Sequence, residues 1–208
     1  MIISPKYKFV FIAPEKTGTT SIHGVLEKIE DDNLIVGKLV GDDSTNLNCK
    51  SGVDATEPHK YKHSDCKRSG NFLNSYSNYF KFAFVRNPWD RVVSWYCFEK
   101  KKFTNKKRDL TDINFKQYIQ NYENIWAHGF QYESTKCCDF IGKFENLQQD
   151  FNVICDKIGI PQQQLPHNNK TKHKHYTEYY DDETRSIVAE VFSKDIEHFK
   201  FEYGNKIV

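Results

Sequence analysis

Apolar residues near the start of the chain change from an unbroken run to a helical spacing. Residues 9–13 (FVFIA) are all apolar, which predicts a strand buried on both faces. After a turn of small and polar residues, apolar side chains return with the spacing of one helical face, which predicts a helix over residues 19–29. These side chains are Ile22, Val25, Leu26 and Ile29. A strand, a short turn and a helix are therefore predicted in direct succession.

The same two patterns alternate along the rest of the chain. Further strands are predicted at residues 34–39, 79–86 and 140–144. Helices are predicted after Asn87, which can cap a helix with Pro88 in its first position, and over residues 115–122, 147–158 and 182–199. With 208 residues, a single α/β domain over residues 1–208 is expected.

Residues 41–78 form a long polar segment, rich in Ser, Asn, Asp, Lys and His, with too few apolar residues for long elements. A stretch of this length without regular structure is typical of a functional or mobile segment. It contains the sequence HKYKHSDCKRSG, which includes His59 and His63. A basic stretch at residues 100–108 (KKKFTNKKR) is predicted to be a solvated loop, although an anionic acceptor could also bind there.

The net charge and the distribution of apolar residues argue against a nucleic-acid-binding protein and against a membrane-spanning one. The formal net charge is +2, so no overall field attracts nucleic acid, and an anion site must use local basic clusters. The chain has no run of about 18 apolar residues, which predicts no membrane span. The N-terminus lacks the layout of a signal peptide. We therefore expect a soluble, cytoplasmic protein.

The six cysteines show neither a CxxC pair nor the spacing of a zinc finger. Cys97 and Cys155 lie in helical patterns and are predicted to be buried. Cys49 and Cys66 flank a polar loop and could form a disulfide in an oxidising compartment. In a cytoplasmic chain, however, reduced thiols are expected. The two remaining cysteines are Cys137 and Cys138.

The turn after the first predicted strand has the composition of an anion-binding site. A helix N-terminus presents unsatisfied N–H groups and a positive dipole end. Gly18 would let the backbone approach a ligand, Thr19 and Thr20 would add hydroxyl donors, and Lys16 would add a positive charge. Because Lys16 precedes Gly18, the turn is not a nucleoside-triphosphatase loop and suits a single phosphate better. The alternative is an ordinary strand-to-helix turn with a chance cluster of threonines.

A second candidate site follows the strand at residues 79–86, in the sequence FVRNPWDRVVSWY. Arg86 lies at the carboxyl end of that strand, where open α/β sheets bind their ligands. Ser94 lies further along the predicted helix, and an arginine with a hydroxyl can bind a phosphate dianion. The alternative is that Arg86 pairs with an acid such as Asp90.

Together, PEKTGTTSI after the first strand and FVRNPWDRVVSWY after a later one resemble the sulfotransferases that use 3′-phosphoadenosine 5′-phosphosulfate (PAPS). Within these the chain is most similar to the carbohydrate sulfotransferase branch. The resemblance continues through FIGKFENLQQDF and the segment that starts LPHNNKTKHKHY, and is weakest over residues 41–78. It implies a central, mainly parallel sheet flanked by helices, similar to the P-loop nucleoside triphosphatase fold. One departure is Glu15, where the family usually has proline, because a carboxylate beside an anion site is unfavourable unless it points away.

The resemblance also implies roles for individual residues. Lys16 would stabilise the leaving phosphate oxygen, and Arg86 and Ser94 would bind the 3′-phosphate. Lys170 and Lys172, in the loop at residues 167–176, would lie nearest the phosphates when that loop closes over the nucleotide. This scheme needs no metal, and the histidines of that loop lack the Cys or carboxylate that would complete a ligand set. The turn residues that would bind the donor are Lys16, Thr17, Gly18, Thr19, Thr20 and Ser21.

By family likeness, the acceptor would be a hydroxyl on a saccharide, and its proton requires a general base with a pKa near the working pH. Histidine meets that requirement, and His63 is the predicted base because it lies between the two phosphate motifs, with His59 as the second choice. The alternative for His63 is an exposed loop histidine.

Two other functions stay open. One is a nucleotide or small-molecule kinase with a divergent phosphate loop, which would need an Asp to bind Mg²⁺ at the end of a strand. The other is a catalytically silent nucleotide-binding protein. The sequence gives no prediction of the oligomeric state.

Overall fold

The computed structural model describes residues 1–37, 47–49, 66, 73–102, 112–121, 129–166 and 174–204. The chain divides into two compact units. The first unit consists of Met1–Val85 and Glu133–Asn168, and the second of Arg86–Tyr132 and Asn169–Val208. A single domain over residues 1–208 stays a prediction. The helices of the described residues are α1 (Thr19–Leu26), α2 (Pro88–Lys102), α3 (Phe115–Gln120), α4 (Gln131–Thr135), α5 (Leu147–Ile158), α6 (Asp182–Val191) and α7 (Ser193–Phe199).

The first unit contains a six-stranded sheet in which the strands that precede the two candidate sites are neighbours. The strands are β1 (Ile2–Ser4), β2 (Phe9–Phe11), β3 (Ile35–Gly37), β4 (Leu47–Cys49), β5 (Phe80–Val85) and β6 (Phe140–Lys143), in the order β4-β3-β1-β2-β5-β6. Strands β2, β5 and β6 run parallel. The pairs β1–β2, β1–β3 and β3–β4 are antiparallel. The parallel part of the sheet therefore carries β2 and β5 side by side.

Side chains of the parallel strands alternate between two apolar layers, as expected for strands buried on both faces. In one layer, Phe11 and Phe82 stack with their ring centroids 5.2 Å apart and pack with the apolar faces of α1 and α5. In the other layer, Val10 and Ala83 pack with Cys66 and Leu73. The mixed α/β fold class, with helices packed against the sheet, is confirmed.

Several predicted elements differ in length from those observed. β2 ends at Phe11, although the Ile12 N–H still donates to the Phe82 carbonyl at 2.8 Å and continues the pairing with β5 by one residue. The predicted helix over residues 182–199 was wrong as one element, because Phe192 (φ −103°, ψ 24°) separates α6 from α7. The apolar spacing could not reveal this break, since the Phe192 ring stays buried in the same core as the helices on either side.

The cysteines also depart from expectation. Cys66 forms a disulfide with Cys137, with the two Cα atoms 5.7 Å apart, so the prediction of reduced thiols was wrong for this pair. The partners are separated by 71 residues, and no local spacing connects them. Cys155 is buried as predicted and Cys97 is half-buried. The side chain of Cys49 lies outside the described residues.

The second unit is built around an aromatic core. Trp89, Phe115 and Tyr180 belong to this core, with the Phe115 and Tyr180 rings edge to face at 4.9 Å. Helix α2 begins as predicted, because Asn87 Oδ1 accepts the Trp89 N–H at 3.1 Å and the Asn87 carbonyl accepts the Arg91 N–H at 2.8 Å. None of the helices in the described part of the chain is long and apolar enough to cross a membrane.

Loss of the Cys66–Cys137 disulfide is expected to lower the free energy of unfolding by about 4 kcal/mol, because the bond constrains a long loop of the unfolded chain. Urea unfolding of the wild type with and without dithiothreitol measures this difference. Cys137→Ser should reproduce it and should make the protein insensitive to the reductant. Cys138→Ser is the matched control and should keep the sensitivity of the wild type. Equal stability of the wild type in both conditions would contradict the disulfide.

Candidate anion-binding site

The turn between β2 and α1 has an unusual backbone conformation. Lys16 (φ 65°) and Gly18 (φ 80°) both lie in the left-handed region, which residues other than glycine seldom adopt. Turns of this kind direct successive N–H groups towards one side and form anion-binding concavities. The backbone of the turn is therefore compatible with the predicted anion site.

Threonine side chains stabilise this turn from inside the protein. The hydroxyls of Thr17 and Thr19 donate to the Pro14 carbonyl at 3.0 and 2.8 Å, and both side chains are buried. The Thr19 hydroxyl was predicted to donate to an anion, but its proton is used by Pro14 in this structure. The group through which Thr19 can bind an anion is therefore its backbone N–H.

The N-terminus of α1 has the electrostatic character that the sequence predicts. Gly18 is the N-cap residue and provides no side-chain cap, and the first turn contains no acidic residue. The Ser21 and Ile22 N–H groups donate to the Gly18 carbonyl at 3.0 and 3.4 Å. The N–H groups that precede them in the chain lie at the positive end of the helix dipole. The first turn of α1 is thus compatible with the predicted anion site.

Glycine is favoured at position 18 for two reasons. Its φ of 80° would strain any residue that has a Cβ atom. A Cβ atom there would also lie 2.9 Å from Leu147 Cδ2 and 3.2 Å from Phe144 Cδ2. The start of α5 and the short 3₁₀ helix before it therefore pack directly against the turn. Glu15, the departure from the family pattern, is exposed.

In the second unit, Arg86 lies directly after β5 and is only 7% exposed. Its Nε donates to Asp90 Oδ2 at 2.7 Å, and the Asp90 side chain is also buried. The alternative pairing with Asp90 is thus present in the structure. It uses one of the five N–H donors of the guanidinium and fixes the plane of that group, so it is compatible with a role in binding phosphate.

Ser94 is buried on α2 and follows Asp90 by four residues. This helical spacing places Ser94 and Asp90 on the same face, which is the face that pairs with Arg86.

Sequence reasoning missed two further residues at this site, Gln131 and Asp195, which form a buried hydrogen-bond network with the Arg86 backbone. They are distant from Arg86 in the sequence, and no motif relates their spacings to it.

Four predicted site residues lie outside the described residues. They are the candidate bases His63 and His59 and the loop lysines Lys170 and Lys172. The basic stretch at residues 100–108 is described only in its first part, where Lys100 Nζ donates to the Tyr96 hydroxyl at 3.1 Å. The roles predicted for the two histidines and the two loop lysines stay predictions.

Among the described residues, the sulfur atoms of Cys66, Cys137 and Cys138 lie within 4.8 Å of one another, a separation that would suit a metal ion. The disulfide occupies two of these sulfurs. Burial raises the pKa of the Cys138 thiol, which disfavours the thiolate that a metal requires. These cysteines are therefore not a ligand set in the structure described.

Comparison with known proteins gives a consistent result over nearly the whole chain. A family model described as the sulfotransferase family matches residues 1–202, which covers both motifs. An uncharacterized protein of Archaeoglobus fulgidus is 34% identical over 101 residues, which are 42% of this chain and 74% of that protein.

One solved structure resembles the chain in fold, and a second gives a weaker match. The crystal structure of mouse sulfotransferase SULT7A1 complexed with PAP superposes with a TM-score of 0.57 and 12% identity, over 93% of this chain and 86% of that one. A sulfotransferase from Alicyclobacillus acidocaldarius has a TM-score of 0.41 and 15% identity, over 64% of this chain and 57% of that one. At such identities, the first comparison establishes a shared fold and not a shared chemistry.

Gly18→Ala is expected to lower the free energy of unfolding by more than the roughly 1 kcal/mol that left-handed backbone strain alone costs, because the added methyl group also meets Leu147. Gly159→Ala is the matched control, since Gly159 has a φ of 73° but no atom within 4 Å of the added Cβ. Urea unfolding measures both variants. An equal loss of stability in the two would show that the contact with Leu147 is unimportant.

Proposed function

We propose that this chain, which belongs to the sulfotransferase family, transfers a sulfuryl group from PAPS to a hydroxyl group of a saccharide. The observation that carries the proposal is the turn before α1, where left-handed residues and an uncapped helix N-terminus present backbone donors beside Lys16. The mouse sulfotransferase with the same fold was crystallised with PAP, the desulfated product of PAPS, which supports the same nucleotide here.

The first motif would hold the 5′ end of the donor. The N–H groups of residues 17–20 would bind the 5′-phosphate, and Lys16 would neutralise the negative charge that develops on the leaving phosphate oxygen. Sulfuryl transfer resembles phosphoryl transfer, in which the moving group passes in line between two oxygens and the protein contributes positioning and electrostatic stabilisation. A rigid turn with a lysine fits these requirements.

The second motif would hold the 3′ end. Arg86 and Ser94 would bind the 3′-phosphate, and Lys170 and Lys172 would approach the phosphates from the loop at residues 167–176. The support for Arg86 is its place directly after β5 and the pairing with Asp90, which orients the guanidinium. An oriented guanidinium loses little side-chain entropy when it binds, which increases its affinity for phosphate.

His63, with His59 as the second candidate, would remove the proton from the acceptor hydroxyl. His63 lies three positions before Cys66, and the Cys66–Cys137 disulfide fixes Cys66 in the apolar layer below Val10 and Ala83. The predicted base is therefore close in sequence to a covalently fixed point. The cytoplasmic location stays a prediction, and the disulfide weighs against it, because disulfides persist mainly in oxidising compartments.

Two rival functions can be separated from this one. A kinase would require Mg²⁺, so turnover that is abolished by EDTA and restored by Mg²⁺ would favour it, whereas sulfuryl transfer should survive chelation. Greater thermal stabilisation by ATP with Mg²⁺ than by PAP would point the same way. A silent nucleotide-binding protein would bind PAP without turnover.

The direct test is transfer of labelled sulfate from PAPS to a panel of saccharides, small alcohols and phenols. The proposal expects a labelled saccharide. Labelled alcohols or phenols alone would overturn the saccharide assignment. PAP binding without any transfer across the panel would favour the silent binder.

Arg86→Ala is expected to weaken binding of PAP much more than binding of adenosine 5′-phosphate (AMP), because a charge-assisted contact worth about 1.5–3 kcal/mol is lost only with the 3′-phosphate. Arg86→Lys, which keeps a charge opposite Asp90, should give an intermediate loss. Arg91→Ala is the matched control, since Arg91 is also buried on α2 but contacts Trp95 and the Gly129 carbonyl. Calorimetric titration measures both ligands, and equal losses for PAP and AMP in Arg86→Ala would contradict the assignment.

His63→Ala is expected to reduce turnover by on the order of 10²–10⁴ with nucleotide affinity nearly unchanged, since a general base contributes to the rate and not to donor binding. The acidic limb of the wild-type pH–rate profile should report one group that must be deprotonated. His59→Ala serves as the comparison and should retain turnover. Near-normal turnover of His63→Ala would show that His63 is not the general base. If His59→Ala loses turnover instead, His59 is the base.

A further inference from the structure

We infer that Gln131 and Asp195 are positioning residues that hold Arg86 in place for the 3′-phosphate of the donor. This role rests on the proposed function, in which Arg86 binds that phosphate. Gln131, Asp195 and the hydrogen bonds that connect them to Arg86 are called the Arg86 clamp below. All of its members belong to the second unit.

The side-chain amide of Gln131 bonds to both polar groups of the Arg86 backbone. Gln131 Oε1 accepts the Arg86 N–H at 2.8 Å, and Gln131 Nε2 donates to the Arg86 carbonyl at 2.8 Å. β5 ends at Val85, so Arg86 is the first residue beyond the strand. The amide takes the place that a peptide group of a neighbouring strand would occupy in a sheet. It therefore fixes the backbone from which the Arg86 side chain extends.

The Asp195 carboxylate in turn holds Gln131. Its Oδ2 accepts the Gln131 N–H at 2.9 Å, and its Oδ1 accepts the Tyr132 N–H at 2.8 Å. These N–H groups are at the start of α4, where a helix provides them with no acceptor. Asp195 therefore caps α4 from a helix that lies 64 residues further along the chain. The capped α4 determines where the Gln131 side chain begins.

The polar side chains of the clamp are buried, and burying polar groups costs free energy of folding. Gln131 and Asp195 are both 0% exposed. Buried polar partners that are replaced together by apolar residues of similar shape often cause little loss of stability. Here the Gln131 side chain bonds to the backbone of one arginine, Asp195 holds Gln131, and Asp90 holds the guanidinium of the same arginine at 2.7 Å. Both ends of Arg86 are fixed, which indicates a requirement for an exact guanidinium position and not only for stability.

Gln131→Met tests the clamp, because methionine retains the length of the side chain and removes both hydrogen bonds to Arg86. The measured quantity is the preference for PAP, given by the dissociation constant of AMP divided by that of PAP, from calorimetric titration. We expect this ratio to fall about tenfold, the size of effect that loss of two modest hydrogen bonds produces. The affinity for AMP should stay unchanged, because AMP has no 3′-phosphate.

Two variants of Asp195 test the clamp independently through the same ratio of dissociation constants. Asp195→Asn retains the shape and one acceptor for the α4 N–H groups, so we expect a smaller fall than in Gln131→Met. Asp195→Ala should lower the ratio further. If Gln131→Met does not fold, the ratio in Asp195→Asn decides the question.

Thr184→Val is the matched control for a general loss of stability. Thr184 is buried in the second unit, and its hydrogen bonds go to Asp181 at the start of α6. Thr184→Val should lower the free energy of unfolding without changing the preference for PAP. A fall in the ratio in this control equal to that in Gln131→Met would assign the effect to stability and overturn the clamp.

The double variant with Arg86→Ala completes the test. If the clamp acts through Arg86, Gln131→Met should not lower the PAP preference further once Arg86 is absent. A further tenfold fall would overturn the clamp, as would a folded Gln131→Met single variant with the wild-type ratio. A wild type that binds PAP no more tightly than AMP would overturn the proposed function and this role with it. The two failures are thereby distinguishable.

Discussion

The absence of a side chain at Gly18 is the constraint on which the first unit and its candidate site both depend. A Cβ atom at this position would lie 2.9 Å from Leu147 Cδ2, so any other residue would require the Leu147 side chain to shift. The same residue has a left-handed backbone and serves as the N-cap of α1. Close packing against the start of α5 and the backbone conformation that begins α1 are thus coupled at one residue.

The side chains around both motifs have a common purpose, which is to fix a group that would otherwise be mobile. Thr17 and Thr19 use their hydroxyls to hold the turn through the Pro14 carbonyl, so the groups proposed to bind an anion there are backbone N–H groups and Lys16. In the second unit, Gln131 fixes the backbone of Arg86 and Asp90 fixes its guanidinium. Preorganised donors stabilise developing charge without reorganising during the reaction, which suits the transfer of a charged group.

Local patterns were sufficient to predict the parts of the structure that depend on neighbouring residues. The strand-turn-helix at the first motif and the start of α2 at Asn87 follow from apolar spacing and cap chemistry, and both are observed. The break at Phe192 was not predictable, because a buried aromatic ring preserves the apolar spacing across it. The Cys66–Cys137 bond and the contacts of Asp195 with Gln131 join residues far apart in the chain, and a single sequence contains no signal of such pairs.

A crystal structure of the protein with PAP tests the central claim most directly, since it locates both phosphates of the donor at once. The account predicts that the 5′-phosphate oxygens lie within hydrogen-bond distance of the backbone N–H groups of residues 17–20, with Lys16 Nζ beside them. It also predicts that the 3′-phosphate contacts the guanidinium of Arg86 and the hydroxyl of Ser94. A nucleotide whose 5′-phosphate lies away from the turn, or whose 3′-phosphate extends into solvent, would contradict the account.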